Sequence, residues 1–271
     1  MPELPEVETT IRGIKPHIIK QTITSVIIRH FGLRWPIDCN IKEILTGLKV
    51  EDVARRAKYI LLKTINGTLI LHLGMSGSIR ILPSQTPPQK HDHIDIEFSN
   101  QLSLRFRDPR RFGACIWTTD DPLLHSLLRH LGPEPLSEDF SGAYLWQVAR
   151  KRKVPVKSFI MDSKVVVGVG NIYAAEALFS AGISPLKPAG KVSLVRYQTL
   201  VLAIQTILRS AIEQGGTTLK DFLNTEGKRG YFSVKLKVYG RGGQPCLQCK
   251  STLKEIRLGQ RSTVYCPKCQ K

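Results

Sequence analysis

Four of the six cysteines stand as two pairs near the C-terminus, Cys246-x2-Cys249 and Cys266-x2-Cys269, with sixteen residues between the pairs. Nothing else in the chain restricts the local fold so tightly. Two CxxC knuckles at this separation, joined by a hairpin, bring four thiolates to one tetrahedral site. One structural Zn2+ on a ribbon of residues 241–271 is therefore expected. So short a ribbon has almost no apolar interior, and metal binding should supply much of its folding free energy. Two disulfides are the alternative, and they require an oxidising compartment. The opening MPELPEVETT carries Glu3, Glu6 and Glu8 before its first basic residue, Arg12, the reverse of the charge order of a secretory signal. A cytoplasmic protein with reduced thiols is expected. Cys39 and Cys115 have no partner at metal spacing and are expected to pack as small apolar side chains.

The 271 residues include 40 Lys and Arg against 22 Asp and Glu, a formal charge of +18. Eleven of those basic residues and a single acid, Glu255, lie between Gly227 and Lys271, so that stretch alone carries +10. The metal site is not the source, because four thiolates outweigh the charge of one Zn2+. An excess of this size points to a polyanion, and nucleic acid is the commonest one in a cytoplasm. A ribosome-associated or simply soluble basic protein is the blander alternative. Composition removes two other classes. With 42% hydrophobic residues and nine Phe, the chain is no disordered basic tail. No apolar run approaches the roughly 18 residues that a membrane span needs.

Residues 2–19 read as a helix, with Pro2, Pro5 and acids in the first turn and Leu4, Val7, Ile11, Ile14 and Ile18 at helical spacing. Gly13 and Pro16 weaken that reading past the middle. From Thr22 to about Trp117 the pattern turns to short strand-like runs: TITSVIIRH, YILLKT, TLILHL, HIDIEF, LSLRF and ACIWT. Asn66-Gly67 and Ser99-Asn100 mark turns between them. Six or more strands after one helix suggest a β-sandwich with a helix attached. The stretch Leu131-Gly-Pro-Glu-Pro-Leu136 reads as a hinge or linker. Beyond it the period is helical, with candidates at 143–152, 156–161, 171–181 and 192–214, the last ended by Gly215-Gly216. The fold class expected is α+β. A helix and β-sandwich domain spans residues 1–131, a hinge 132–140, a helical domain 141–240 and a zinc ribbon 241–271. A cleft between two basic domains can enclose a duplex.

Several motifs then converge. Pro2-Glu-Leu-Pro-Glu-Val-Glu8, Arg55-Arg-Ala-Lys-Tyr59, His72-Leu-Gly-Met-Ser-Gly77 and Asp108-Pro-Arg-Arg-Phe-Gly113 resemble the formamidopyrimidine-DNA glycosylase family of bacteria. So do Leu131–Leu136, Val167-Gly-Val-Gly-Asn-Ile-Tyr173, Gly215-Gly-Thr-Thr-Leu219 and the terminal ribbon. The resemblance runs from residue 2 to residue 271, and its specificity lies in the combination. It implies a monomeric DNA repair enzyme that excises oxidised purines, 8-oxoguanine and formamidopyrimidines, from double-stranded DNA and then nicks the abasic site. It also implies a helix-two-turns-helix arrangement in the helical domain.

The residues can carry that chemistry. Glycosidic cleavage with strand scission needs a nucleophile that attacks C1′ and then serves as an electron sink, and a free amine does both through a Schiff base. With Met1 removed, Pro2 presents a secondary amine, whose imine is necessarily a cationic iminium that acidifies the C2′ proton. A free α-amine titrates near pH 8, so a useful neutral fraction exists without strong perturbation. Glu3, beside it, is the natural general acid at O4′. Crowding against Glu6 and enclosure in a cleft would raise its pKa. Glu6 is read as its support.

By resemblance, Lys58 contacts phosphate at the lesion. Arg261, projecting from the ribbon's hairpin, binds the flanking phosphates and assists δ-elimination. A flipped nucleotide leaves a gap that must be filled. Met75, Arg110 and Phe112 match the family's wedge, thioether and phenyl stacking while the guanidinium bonds the orphaned cytosine. His91, Arg152, Lys157 and Asn171 map onto family DNA contacts, Asn171 at a helix start where free N–H groups favour an anion. His91-Asp-His93 lacks a third ligand for a metal.

Two positions depart from the family pattern. Ser184 stands where His is usual, and Arg229 where the lesion-covering loop usually has Pro; a more mobile lid is expected there. Two alternatives remain. One is the related endonuclease VIII type acting on oxidised pyrimidines, against which Leu4 and the Met75/Arg110/Phe112 set speak. The other is a non-catalytic zinc-ribbon nucleic-acid binder.

Overall fold

The computed structural model describes residues 2–216 and 236–271. Arg229 and the rest of the expected lid lie outside the described residues. Within them the chain divides into two compact units, residues 2–129 with 214–216, and residues 130–213 with 236–271.

The first unit opens with α1, Leu4–Ile18, whose bounds reach past both Gly13 and Pro16. Proline in a helix removes a hydrogen bond and costs about 3 kcal/mol in an exposed interior. Here the buried row Leu4, Val7, Ile11, Ile14 and Ile18 outweighs that cost. The strands are β1 (Ile23–Ile28), β2 (Asp52–Arg56), β3 (Tyr59–Thr64), β4 (Gly67–His72), β5 (Ser78–Pro83), β6 (Asp92–Phe98), β7 (Leu102–Arg107) and β8 (Ala114–Thr118). A short helix α2, Ile41–Leu45, follows β1.

Among the described residues these strands form two four-stranded antiparallel sheets, in the orders β1-β6-β7-β5 and β2-β3-β4-β8. Their inner faces share one core with α1 and α2. Leu62, Leu69 and Leu71 come from one sheet, and Ile79, Ile94, Ile96, Leu104 and Phe106 from the other. This is the sandwich with an attached helix that the alternation implied. Strands β2 and β5 and helix α2 were not among the expected elements. Two consecutive arginines in β2 conceal its period, and α2 is too short to show one. The β3–β4 turn uses Ile65-Asn66 rather than Asn66-Gly67, because Gly67 already pairs with Thr64.

One face of the β1-β6-β7-β5 sheet buries charge. The guanidinium of Arg105 donates to Asp95 at 2.8 Å from both Nε and Nη2, and to the carbonyls of Thr86 and Pro87. Arg29 adds a further donor to Asp95 at 2.6 Å. Burial alone would push the Asp95 carboxyl up, but these bonds outweigh it and hold the carboxyl below the ordinary aspartate range. The cluster ties the loop before His91 to the sheet.

The second unit contains α3 (Gly142–Ala149), α4 (Val156–Ile160), α5 (Asn171–Ser180) and α6 (Leu194–Glu213). Ser141 caps α3 by accepting the Tyr144 N–H at 3.1 Å. Helix α5 is buried from Ile172 to Phe179, with α6 packed against it. The hairpin β9 (Lys254–Leu258) and β10 (Arg261–Tyr265) forms the ribbon. The ribbon has a small core of Val238, Leu253 and Val264 completed by Ala175 and Phe179 of α5. At its end Lys271 N–H donates to the Gly182 carbonyl and Gln270 Nε2 to that of Ile183. Ser184 joins this contact through its backbone N–H, donated to the Lys271 carbonyl at 3.3 Å. A change of side chain at 184 leaves that bond in place.

Candidate DNA-repair active site and zinc centre

Pro2 is buried, and two buried carboxyls follow it at the start of α1. Glu3 is the N-cap residue and Glu6 the third helical position, in a reciprocal capping box; the Glu3 N–H donates to Glu6 Oε2 at 2.8 Å. The Glu6 side chain also abuts Gly216. A Cβ on that glycine would stand 3.2 Å from Glu6 Oε1, and its φ of +83° already favours glycine. Both acids are thus held in position by the helix terminus, which itself favours negative charge.

Lys58 sits at the tip of the β2–β3 hairpin, in the two-residue turn Ala57-Lys58. Ala57 is buried and adopts φ +54°, a left-handed conformation that costs a side-chain-bearing residue about 1–2 kcal/mol. Arg55 braces the turn by donating to the Ala57 carbonyl at 3.0 Å and to Glu8 at 2.9 Å. His72 lies beside Lys58. Burial, then the Lys58 and Arg34 charges, push its pKa down to about 4. Its Nδ1 accepts the Gly74 N–H at 3.0 Å, which leaves the proton on Nε2. His72 opens the motif His72-Leu-Gly-Met-Ser-Gly77, and its one signal in the sequence is its place at a strand end before a glycine loop.

Met75 lies on the loop from β4 to β5, and Arg110 and Phe112 on the loop from β7 to β8. Met75 and Phe112 are 37% and 40% exposed, so neither packs inside. The Arg110 guanidinium lies 4.9 Å over the Phe112 ring. His91, half-buried at φ +74°, stands near the same loops, its ring edge-on to that of His93 at 6.1 Å.

In the second unit, Asn171 opens α5 and its Nδ2 donates to the Ser262 carbonyl at 3.1 Å. Lys157, expected at a phosphate, lies inside the protein surface beside Asn171. It is 1% exposed, and its ammonium donates to Asn171 Oδ1 at 2.6 Å, Thr263 Oγ1 at 2.7 Å and the Ser262 carbonyl at 3.3 Å. These bonds tie Lys157 to Asn171 and to the start of β10. Arg261, the first residue of β10, and Arg152 are exposed. Cys115 is buried as expected, its thiol pushed up to about 12 by burial. Cys39 is not: it is exposed between Asp38 and Asn40, while Ile37 and Ile41 on either side of this turn enter the core.

The four ribbon cysteines place their sulfurs within 4.8 Å of one another. Cys249 and Cys266 Sγ are 3.4 Å apart, Cys246 and Cys269 Sγ 3.9 Å. A tetrahedral zinc with bonds of about 2.3 Å requires sulfurs about 3.8 Å apart. The knuckles carry the expected backbone bonds, Lys250 N–H to the Cys246 carbonyl and Gln270 N–H to that of Cys266. These residues fit one structural zinc.

Comparison with known proteins agrees along the whole chain. A model of the formamidopyrimidine-DNA glycosylase N-terminal domain matches residues 1–115, the H2TH domain of the same enzymes residues 131–223, and a zinc finger found in FPG and IleRS residues 243–271. The formamidopyrimidine-DNA glycosylases of Stutzerimonas stutzeri and Pseudomonas aeruginosa are 56% and 57% identical over 271 residues, with both chains fully covered in each case. The MutM (Fpg) protein of Thermus thermophilus superposes with a TM-score of 0.89 at 35% identity, covering 99% of this chain and 98% of that one. Wild-type Lactococcus lactis Fpg, in complex with DNA containing N7-benzyl-Fapy-dG, gives 0.92 at 33% identity over 100% of both chains. A MutM complex with DNA containing carbocyclic 8-oxo-G gives 0.91, also at 33% identity over 100% of both chains. From its N-terminal sandwich to its zinc ribbon, the chain belongs to the formamidopyrimidine-DNA glycosylase family.

Proposed function

We infer that the protein is a base-excision repair enzyme, a DNA glycosylase that removes oxidised purines and an abasic-site lyase that then cuts the strand. The observation that carries this reading is Pro2 followed by the paired buried carboxyls of Glu3 and Glu6, at the head of a helix in a chain of charge +18. Once Met1 is processed, the Pro2 lone pair attacks C1′ of the flipped nucleotide. The C1′–N9 bond breaks, the base leaving with the proton released from the Pro2 nitrogen, and Glu3 protonates O4′ as the C1′–O4′ bond opens to a C1′ iminium. The resulting iminium acidifies C2′–H. Loss of that proton expels the 3′ phosphate by β-elimination, and a second elimination expels the 5′ phosphate. Glu6 orients Glu3 through the capping box.

Lys58 and Arg261 are assigned to the phosphates at and beside the lesion, with His91, Arg152 and Asn171. Lys157 is assigned to holding Asn171, in keeping with its burial. Met75, Arg110 and Phe112 are assigned to the gap in the duplex. Zinc supplies folding energy to the ribbon and no chemistry. We assign catalysis to residues 1–131, a hinge to 132–140, DNA binding to 141–240 and the ribbon to 241–271. The protein works where the bacterial chromosome is, in the cytoplasm; among the described residues no helix is long and apolar enough to cross a membrane. About five neutralised phosphates give a log–log salt slope of about −4.5.

Borohydride trapping on an 8-oxoguanine duplex tests the reading. Protein with a verified Pro2 terminus should give a covalent adduct, and protein retaining Met1 should give none. No adduct from the Pro2 form on any oxidised base would remove the catalytic reading and leave the zinc-ribbon binder.

A further inference from the structure

Met75 and the Arg110–Phe112 pair reach the surface on separate loops, residues 73–77 and 108–113, and one carboxylate lies between them. Asp108 is fully buried. Its Oδ1 accepts the Ser76 hydroxyl at 3.0 Å and the Arg110 backbone N–H at 3.3 Å, and its Oδ2 accepts the Gly113 N–H at 2.8 Å. Ser76 Oγ in turn receives the Arg110 N–H at 3.2 Å. The Asp108 backbone adds ties of its own, its N–H donating to the His91 carbonyl and its carbonyl facing His93 Nε2 at 2.9 Å. Gly74 completes the join. At φ +65°, with a virtual Cβ 2.5 Å from the Phe112 carbonyl carbon and 2.6 Å from Gly113 N, it admits no side chain. The two loops therefore meet backbone to backbone.

A buried carboxylate costs several kcal/mol in desolvation unless its oxygens are satisfied. These are satisfied by groups of both loops and of nothing more distant. Charge-assisted bonds of this kind are roughly twice as strong as neutral ones. We propose that Asp108 is a positioning residue of the wedge, its carboxylate fixing the Met75 loop and the Arg110–Phe112 loop as one rigid body. The inference rests on the assignment of Met75, Arg110 and Phe112 to the gap in the duplex. A wedge assembled beforehand loses little conformational freedom on entering the base stack, whereas two independent loops would be ordered at that moment. Asp108 itself is too deep to touch DNA.

Asp108→Asn retains the shape but must turn an amide N–H2 toward either the Gly113 N–H or the Arg110 N–H, neither of which can accept. The variant should lose about tenfold or more in kcat/KM on an 8-oxoguanine:cytosine duplex, the size of one lost buried hydrogen bond. Ser76→Ala should lose about threefold, being a neutral group at the edge of the same network. Both should show a reduced preference for cytosine over adenine opposite the lesion. Cleavage of an abasic site in single-stranded DNA, which has no stack to fill, should stay within about twofold of wild type, below the effect of one hydrogen bond. Unchanged duplex rates would overturn the proposal. So would an equal loss on both substrates, which is the mark of a group that merely maintains the fold. Should Asp108→Asn not fold, Ser76→Ala decides by the same ratio. Wild-type protein inactive on the duplex would instead remove the glycosylase reading on which the proposal rests.

Discussion

The sandwich and the zinc ribbon reach defined structures by opposite means. In the sandwich, Leu62, Leu71, Ile96, Leu104 and Phe106 fill a space closed by two sheets and α1. At roughly 25 cal/mol per Å2 of apolar burial, that interior holds the two sheets together, while buried carboxylates such as Asp95 and Asp108 tie the loops to them. The ribbon contributes two aliphatic side chains, Leu253 and Val264, and borrows Val238 from the segment before it and Ala175 and Phe179 from α5. Its remaining cohesion comes from four cysteines around a metal. The groups proposed for DNA contact on the sandwich therefore depend on packing and buried carboxylates, and those proposed on the ribbon, Arg261 above all, depend on thiolate chemistry.

The sharpest way to break this contrast is to remove the metal. Chelation, or Cys246→Ser, should abolish order in the ribbon and weaken binding to an abasic-site duplex by at least about 100-fold, with the loss of several phosphate contacts. The sandwich should keep its urea midpoint. Affinity unchanged after verified zinc loss would show that the ribbon stands on its small core alone. The reverse experiment is Phe106→Ala, which should destabilise the sandwich by about 3–5 kcal/mol through transfer and cavity terms while zinc stays bound. Zinc release in step with unfolding of the sandwich would contradict the separation.

Acid sharpens the comparison with a smaller effect. His72 titrates near 4 in the folded sandwich against an ordinary 6.5, chiefly because it is buried. Burial likewise lowers His93. Over that window the unfolded chain binds protons that the folded one refuses, so stability should fall as pH drops from about 6.5 toward 4. His72→Asn, which retains an acceptor for the Gly74 N–H, should flatten the slope in urea titrations at pH 7 and pH 5. An unaltered slope would place the sensitivity elsewhere. Asp95 acts in a lower window: its depressed pKa gives stability that is present above the ordinary aspartate range and lost only as pH falls through the folded value.

Much of this was legible before any coordinates. The α1 row from Leu4 to Ile18 and the alternation in β6 and β7 carry their own periods. The four cysteines carry a metal's spacing, and Pro2-Glu3 with the dispersed motifs carries the family resemblance from which the chemistry is inferred. Those signals are local, written within a few residues of one another or matched segment by segment. Burial is not local. Lys157 reads as a phosphate donor in sequence, yet Thr263 and Ser262, more than a hundred positions away, use its ammonium. Cys39 reads as apolar and lies in a polar turn.

Asp108 shows the division most clearly. Before a proline and two arginines it signals only a turn, with its oxygen on the N–H two residues on. That the same carboxylate also holds Ser76, thirty-two positions earlier, follows from β5 pairing with β7 in one sheet and β4 with β8 in the other, which sets the β4–β5 and β7–β8 loops side by side. By itself, then, the sequence determined most of the element types, β2, β5 and α2 excepted, the metal ligands and the reaction class, because each follows from residue chemistry and short spacing. Only the tertiary structure decided which charges face solvent and which are consumed inside, because desolvation and hydrogen-bond satisfaction depend on neighbours that the linear order does not name.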